Sequence, residues 1–250
     1  MAITKKPLPI EAFELTIADA LQLVKLVEGF TNERMRRMRA ELRTRVGEAL
    51  RVPMKSRADL DCLESEDVFV VFLPGSSLCR ADFVDARPLL RQAVVAACAA
   101  FETYLGDKAM ASVGAFVHSS ETLTPRLRRV PLTLGDFISI EERYQRTGWG
   151  IRHRVVEPYV RELASTAPNK VGELLSAIGI ENWARKVDTE RKVSSGDTVH
   201  FLDRLTARRN KIAHEGDRLG RSRGNLTVAE VRTYLEALET TVKALEVIIE

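Results

Sequence analysis

The chain has 250 residues, of which 45% are hydrophobic and 29% are charged, with 14 glycines and 9 prolines. This composition is typical of a globular protein and excludes a collagenous, low-complexity or largely disordered chain. The formal net charge of +3 is too small to indicate nucleic-acid binding by itself, but it is unevenly distributed.

The start of the chain and its apolar runs predict a protein without membrane association. The longest uninterrupted apolar runs, residues 68–73 and 93–101, are far shorter than the ~20 residues of a membrane helix. Prolines and glutamates interrupt the first 15 residues, where a signal peptide needs a continuous apolar stretch. The three cysteines form no Cys-x-x-Cys pair, so neither a zinc site nor a disulfide framework is indicated. We therefore expect a cytoplasmic protein without a metal or cofactor.

Residues 1–78 are predicted to form an N-terminal helical region. Apolar residues spaced by three and four predict two helices, separated by an N-cap at Thr31 and ended before Pro53. The second helix contains the run 34–51, with seven arginines against two glutamates, which is either a solvated face or a phosphate-binding surface. The run 68–73 is the best strand candidate, although a short buried helix has the same pattern.

The next predicted helix covers residues 85–105. Asp85 is its expected N-cap, and Gly106 its expected end. Apolar residues cover nearly its whole circumference, which predicts packing on most sides. Glu102 is the only acid between residues 88 and 105, and Arg91 is the only base. Because an unpaired buried carboxylate costs several kcal/mol, Glu102 must reach a solvated edge or a cation.

Residues 107–196 give weaker signals, and we assign no chemistry to them. Helices are predicted around residues 138–144 and within 170–185. The arginines near residues 126–129 and the triplet 152–154 are interpreted as loop and surface charge. The histidines of this region and His200 are interpreted as structural or exposed.

A helix over residues 197–214, followed by Gly216 as its C′ residue, carries the most informative pattern. At 100° per residue, Arg209 falls in the middle of the predicted buried stripe. Asn210 and His214 lie one turn apart on its flank. The stripe consists of Val199, Leu202, Leu205, Ile212 and Ala213, and the predicted solvated face carries Arg204, Arg208 and Lys211.

An inward-facing guanidinium needs an anionic partner. Glu102 is one candidate, and removal of Glu102 would then strand a cation at a cost of ~3 kcal/mol. A phosphate from solvent is the other, because the planar donors of arginine match two phosphate oxygens. The residues alone therefore leave open a buried Arg–Glu bridge beside an incidental histidine, or an anion site.

The last helix begins with a capping box, Thr227 to Glu230, and continues with apolar residues spaced by four and three up to Ile249. This stripe is the seam either of an intramolecular bundle or of a subunit contact, and we take the intramolecular interpretation as the default.

The string Arg209-Asn210-Lys211-Ile212-Ala213-His214 resembles the motif of HEPN-domain proteins, in which an arginine and a polar residue are followed, after three more residues, by histidine. Many such proteins are RNases of toxin, antiphage and RNA-processing systems. Residues 89–105, with Glu102, are similar to the earlier, acidic helix of the RiboL-PSP-HEPN subgroup. The resemblance implies an all-α fold, a HEPN-like helical bundle over residues 79–250 with a long insertion between the two motif helices.

The resemblance further implies a metal-independent endoribonuclease whose composite site forms when two HEPN domains pair, hence a homodimer. His214 would be the general acid or base, and Arg209 would hold the scissile phosphate. Asn210 would orient either the imidazole of His214 or the phosphate, and Glu102 would fix the position of Arg209. The candidate RNA-binding residues are Lys211, Arg208, Arg218, Arg221 and Arg223.

Two alternatives remain at this stage. One is a HEPN-fold module without catalysis that binds RNA or a partner protein, such as an antitoxin or another defence-system component. The other is a helical protein that binds a partner through its terminal helix.

Overall fold

The computed structural model describes residues 7–31, 44, 47–48, 51, 53–55, 87–114, 122–219 and 222–249. The described chain is almost entirely helical, which confirms the all-α prediction. The helices are α1 (Pro9–Thr31), α2 (Arg87–Val113), α3 (Leu134–Arg143), α4 (Thr147–Ile151), α5 (Glu157–Leu163), α6 (Pro168–Ala177), α7 (Trp183–Arg191), α8 (Asp197–Glu215) and α9 (Val228–Ile249).

Four short elements occur between these helices. A 3-10 turn covers Leu127–Arg129, and a π-helical turn, Arg152–Val156, joins α4 to α5. Two two-residue strands, β1 (Arg218–Leu219) and β2 (Ser222–Arg223), pair antiparallel after α8. None of the described helices combines the length and the apolar character needed to cross a membrane.

The chain divides into two compact units, one of residues 1–24 and 90–250 and the other of residues 25–89. The predicted boundary at residues 78 and 79 lies outside the described residues, as do the strand candidate 68–73 and the cap Asp85. Of the predicted second helix, Thr44, Gly47, Glu48 and Arg51 are described. The first three are helical, whereas Arg51 lies in a turn at φ +54°, so the helix ends before the predicted residue.

α1 joins the larger unit through an apolar stripe. Phe13, Ile17, Ala20 and Val24 are buried at spacings of four and three, as expected for one face of a helix. The ring of Phe13 lies 6.0 Å from that of Tyr104 on α2. Aromatic burial therefore fixes α1 against the helix that carries Glu102.

α2 does not end at Gly106 as predicted but continues to Val113. A Cβ at position 106 would lie 2.6 Å from Nη1 of Arg161 on α5, so the glycine provides room for this arginine. Arg161 also donates a hydrogen bond of 2.6 Å to Asp107. Gly106 is thus a close-approach position within the helix, and not its C-terminal cap.

The region between α2 and α8 is helical where the sequence indicated helices. α3 begins earlier than predicted because the Thr133 hydroxyl accepts a hydrogen bond of 3.1 Å from the Asp136 N–H and caps it. The segment 170–185 contains parts of two helices, α6 and α7, which are separated by a turn with Gly179 at φ +82°.

α8 begins and ends as its sequence predicts, with Gly216 in the left-handed conformation at φ +61°. Its first half is buried through Thr198, Phe201, Leu202 and Leu205. The predicted stripe fails beyond that point, because Ile212 is half-buried and Ala213 is exposed. The last two turns of α8 therefore project from the core.

α9 confirms both the predicted cap and the intramolecular interpretation. The Glu230 N–H donates to the Thr227 hydroxyl at 3.2 Å. Val231, Leu235, Leu238, Val242 and Leu245 are all buried within the larger unit. The apolar seam is thus covered by this chain itself.

Candidate functional site

The motif residues lie where the projecting end of α8 faces the middle of α2. Nη2 of Arg209 is 3.7 Å from Oε2 of Glu102, so the predicted pair forms. Nη1 of Arg209 donates a hydrogen bond of 3.2 Å to Oδ1 of Asn210. The Arg209 side chain is 32% exposed and that of Glu102 is 24% exposed. The prediction of a buried Arg209 is therefore wrong: α8 has left the core after Leu205, and the ion pair lies at a solvated edge.

His214 is exposed on the last turn of α8, one turn beyond Asn210. Within the described part of the chain its imidazole has no hydrogen-bond partner or ion pair. Both ring nitrogens are therefore open to a ligand. Because a ring nitrogen of imidazole can accept or donate a proton, an accessible imidazole can act as an acid or as a base.

Cys98 marks the inner edge of this site, one turn before Glu102 on α2, and is fully buried. Burial raises the pKa of the Cys98 thiol to about 12, with a further increase from the Glu102 carboxylate and an opposing effect of Arg209. The thiol therefore remains protonated at neutral pH and acts as packing.

The proposed RNA-binding residues divide into two groups. Lys211, Arg218 and Arg223 are exposed, as is Arg204 on the same helix. Arg221 lies outside the described residues. These exposed cations surround the end of α8, where they can contact phosphates.

Arg208, in contrast, is not available for RNA as predicted. Its side chain is only 16% exposed, with Nη1 3.2 Å from Oδ1 of Asp217. Its Nη2 donates to Oδ2 of Asp217 at 3.2 Å and to the carbonyl of Asn225 at 2.8 Å. The wheel placed Arg208 on a solvated face, but the chain turns back after Gly216 and covers Arg208, while Arg204 and Lys211 on that face stay exposed.

Asp217 is the centre of a buried charge cluster that the sequence did not reveal. Nε of Arg91, on α2, donates to Oδ2 of Asp217 at 2.8 Å, and Nη2 of Arg91 donates to the Gly224 carbonyl at 2.9 Å. The Asp217 side chain is 1% exposed and that of Arg91 is 7% exposed. A Cβ at position 224 would lie 2.7 Å from Oδ1 of Asp217, so only glycine fits there. One carboxylate thus ties the β1–β2 hairpin and the end of α8 to the start of α2.

A signal for this cluster was present in the sequence. Arg91 is the only base on an apolar helix, and the argument that required a cation for Glu102 also required an acid for Arg91. Only a long-range contact, across 126 residues, identifies Asp217 as that acid.

The beginning of α8 is held by Asp188. Its carboxylate accepts hydrogen bonds from the N–H groups of Gly196 at 2.7 Å and Thr198 at 3.0 Å. Burial alone would raise the pKa of Asp188, but the hydrogen bonds from Thr198 and Gly196, together with the charge of Arg191, lower it below the ordinary value of 3.8. The lowered pKa shows that the ionised carboxylate stabilises the helix start.

We expect Asp188→Ala to lower the free energy of unfolding by about 1–2 kcal/mol at pH 7, because two N–H groups at the helix start lose their acceptor. Since the folded pKa is lowered, this stabilisation is fully present above the pKa of the unfolded state and is lost as the pH falls through the folded value. Urea unfolding of the wild type and of Asp188→Ala between pH 7 and pH 3 measures the difference between their free energies of unfolding. If this difference stays constant below pH 3.8, the assignment of a lowered pKa to Asp188 is contradicted.

The solvated position of the Arg209–Glu102 pair lowers its expected contribution to stability. Each side chain is a quarter to a third exposed, so we expect both Arg209→Ala and Glu102→Ala to lower the free energy of unfolding by at most ~1 kcal/mol, and not ~3 kcal/mol. A double-mutant cycle by chemical denaturation measures the coupling energy. A coupling near 3 kcal/mol would show that the pair is desolvated in solution.

Within the ranges that the structure describes, no group of three or more His, Cys, Asp or Glu side chains is arranged to hold a metal ion. Comparison of the chain with known proteins found no matching protein-family model, no similar curated protein and no similar solved structure.

Proposed function

We propose that the chain is a metal-independent endoribonuclease of the HEPN type. The observation that carries this proposal is the arrangement at the end of α8: a guanidinium held by Glu102 and Asn210, and an exposed imidazole five residues further along the same helix. Exposed Lys211, Arg218 and Arg223 supply positive charge around it. A role in a toxin or antiphage system, with an antitoxin or defence partner in the cytoplasm, is proposed from the resemblance alone.

The proposed reaction uses the RNA's own nucleophile. The 2′-oxygen attacks the adjacent phosphorus, the P–O5′ bond breaks, and the products are a 2′,3′-cyclic phosphate and a 5′-hydroxyl. One group removes the proton of the 2′-hydroxyl, and another donates a proton to the leaving 5′-oxygen. His214 serves in one of these steps, because its imidazole is exposed and histidine is the side chain that most often transfers protons in catalysis.

Arg209 stabilises the phosphate as negative charge develops on it. Its position at a solvated edge leaves it accessible, and two of its neighbours hold it in place before the substrate arrives. A charged group that is already in position stabilises the transition state more than one that must first be reordered. Glu102 is a positioning residue in this mechanism, since it acts through Arg209.

The chain carries one copy of the motif, so the composite site implied by the resemblance needs a homodimer. The projecting last two turns of α8 suit this requirement, because Ala213 and His214 are exposed and can meet a second copy. The proposal therefore places two Arg209–His214 pairs in one cleft.

A HEPN-fold module without catalysis is the second candidate function. It is favoured by the engagement of Arg209, whose guanidinium already forms an ion pair with Glu102 and a hydrogen bond with Asn210. In that case the exposed cations would bind RNA or an acidic partner surface, and no phosphodiester would be broken.

The test is incubation of the purified protein with mixed RNA in EDTA. Cleavage that persists under chelation and disappears in Arg209→Ala, with the circular dichroism spectrum unchanged, supports the nuclease. Intact RNA at protein concentrations that give a dimer in analytical ultracentrifugation contradicts it and favours the binding module.

A further inference from the structure

Trp149 on α4 is an exposed indole outside the candidate nuclease site. The chain has two tryptophans, of which Trp149 is 60% exposed and Trp183 only 9% exposed. A large aromatic ring that is exposed to water offers a flat apolar face on which another ring can stack.

The inner side of α4 is tightly packed, so the outward position of Trp149 is determined by the fold. A Cβ added to the next residue, Gly150, would lie 2.5 Å from Cγ2 of Ile140 and 3.0 Å from Cδ2 of Tyr144. A Cβ added to Gly148 would meet no atom within 4 Å. The helix thus packs through Gly150 and presents Trp149 to open space.

His153 supports one side of the indole. The two ring centroids are 5.2 Å apart with an interplanar angle of 54°. Nδ1 of His153 lies 3.0 Å from Oε2 of Glu157, which restrains the imidazole. His153 therefore restrains one part of the Trp149 ring, and the larger part of the ring stays accessible to solvent.

Arginines are concentrated in the segment around Trp149. Residues 143–156 contain four arginines and no acid, although Glu142 and Glu157 border this segment. Arg152 is committed, because its Nη2 donates to the Met110 carbonyl at 2.9 Å, but Arg146 and Arg154 are exposed. The backbone N–H of Trp149 donates to the backbone carbonyl of Arg146 at 3.0 Å, which places the two residues within one turn of each other.

We propose that Trp149 is a stacking platform for a base of single-stranded RNA, with Arg146 and Arg154 contacting the flanking phosphates. Positively charged surfaces combined with exposed aromatic rings bind single strands, because every base has a flat face and every nucleotide a phosphate. A partner protein would need a surface that is both acidic and apolar to bind the arginines and the indole. Each RNA nucleotide carries a negatively charged phosphate and a flat base, so RNA meets both needs. The inference extends the proposed function to a second RNA-binding surface, and it is tested by binding, without cleavage.

The experiment uses the wild-type chain and a fluorescently labelled 2′-O-methyl oligouridine, which lacks the 2′-hydroxyl needed for cleavage. Anisotropy titration should give a Kd about 5- to 100-fold weaker for Trp149→Ala, because stacking of one base is lost. Trp149→Phe should retain most of the affinity. An abasic oligomer of the same length should bind both proteins equally, since it carries phosphates without bases.

Intrinsic fluorescence gives a second readout. RNA should quench Trp149 in the wild-type chain, while in Trp149→Phe the emission of buried Trp183 should not respond. Arg146→Ala should reduce the slope of log Kd against log salt by about 0.7, the value for one phosphate contact on a single strand.

Equal Kd values for wild type and Trp149→Ala, without quenching, would overturn the proposal. A change in self-association of Trp149→Ala at unaltered RNA affinity would also overturn it and would identify a protein-binding surface instead. If RNA binds through Trp149 but is never cut in EDTA, the platform stands and the nuclease proposal fails. If RNA is cut and Trp149→Ala binds it with the affinity of the wild type, the nuclease proposal stands and the stacking platform fails.

Discussion

Replacing His214 by alanine is expected to lower the rate of RNA cleavage by about 10²- to 10⁴-fold, which corresponds to roughly 3–5.5 kcal/mol of activation free energy. The loss has this size because proton transfer by one positioned side chain contributes about this factor, and the other imidazole of α8, that of His200, lies farther from Arg209 along the helix. The melting temperature should not change, since the side chain of His214 is exposed and makes no described contact. Initial rates with a short labelled RNA in EDTA measure the effect.

His200 provides a matched control on the same helix. It is exposed like His214 but lies more than two turns before Arg209. His200→Ala should therefore leave the cleavage rate within a factor of two. Equal cleavage rates for the wild type and His214→Ala would show that His214 takes no part in the reaction.

Replacing Asp217 by alanine is expected to lower the free energy of unfolding by about 3–5 kcal/mol, because it leaves Arg91 and Arg208 with uncompensated charge in a nearly buried position. The hairpin of β1 and β2 should also loosen, since the carboxylate joins it to α2. Urea denaturation, monitored by circular dichroism, measures the loss of stability.

Asp203 is the control for this substitution, because it is exposed on α8 and has no described ion pair. Asp203→Ala should change the free energy of unfolding by less than ~0.5 kcal/mol. If Asp217→Ala has an equally small effect, the three charges do not form a buried cluster in solution.

The features that the sequence predicts well depend on local signals. The ends of α8 and α9 follow from Gly216 and from the Thr227 to Glu230 capping box, whose physical effects act within one turn. The pairing of Glu102 with Arg209 was one of the two alternatives that the sequence left open, because Glu102 is the only acid on an otherwise apolar stretch of α2.

The features that the sequence predicts badly depend on contacts between distant segments. Gly106 signals a helix end, yet here it makes room for Arg161, 55 residues later. The wheel of α8 assumes one buried stripe along the whole helix, whereas the core ends at Leu205. Arg208 lies on the polar face of that wheel, and only the returning chain with Asp217 shows that it is covered. The exposure of Trp149 likewise follows from packing at Gly150, which no periodicity reveals.

The central claim is that this chain breaks RNA by attack of the 2′-hydroxyl with Arg209 and His214 in one site. The most direct measurement is the chemistry of the product ends after incubation in EDTA with an RNA that carries a single 2′-deoxynucleotide at its main cleavage position. We predict 2′,3′-cyclic phosphate and 5′-hydroxyl ends from the all-ribose RNA, and no cleavage at the 2′-deoxy position. Cleavage at the deoxy position, or products with 5′-phosphate ends, would contradict the claim.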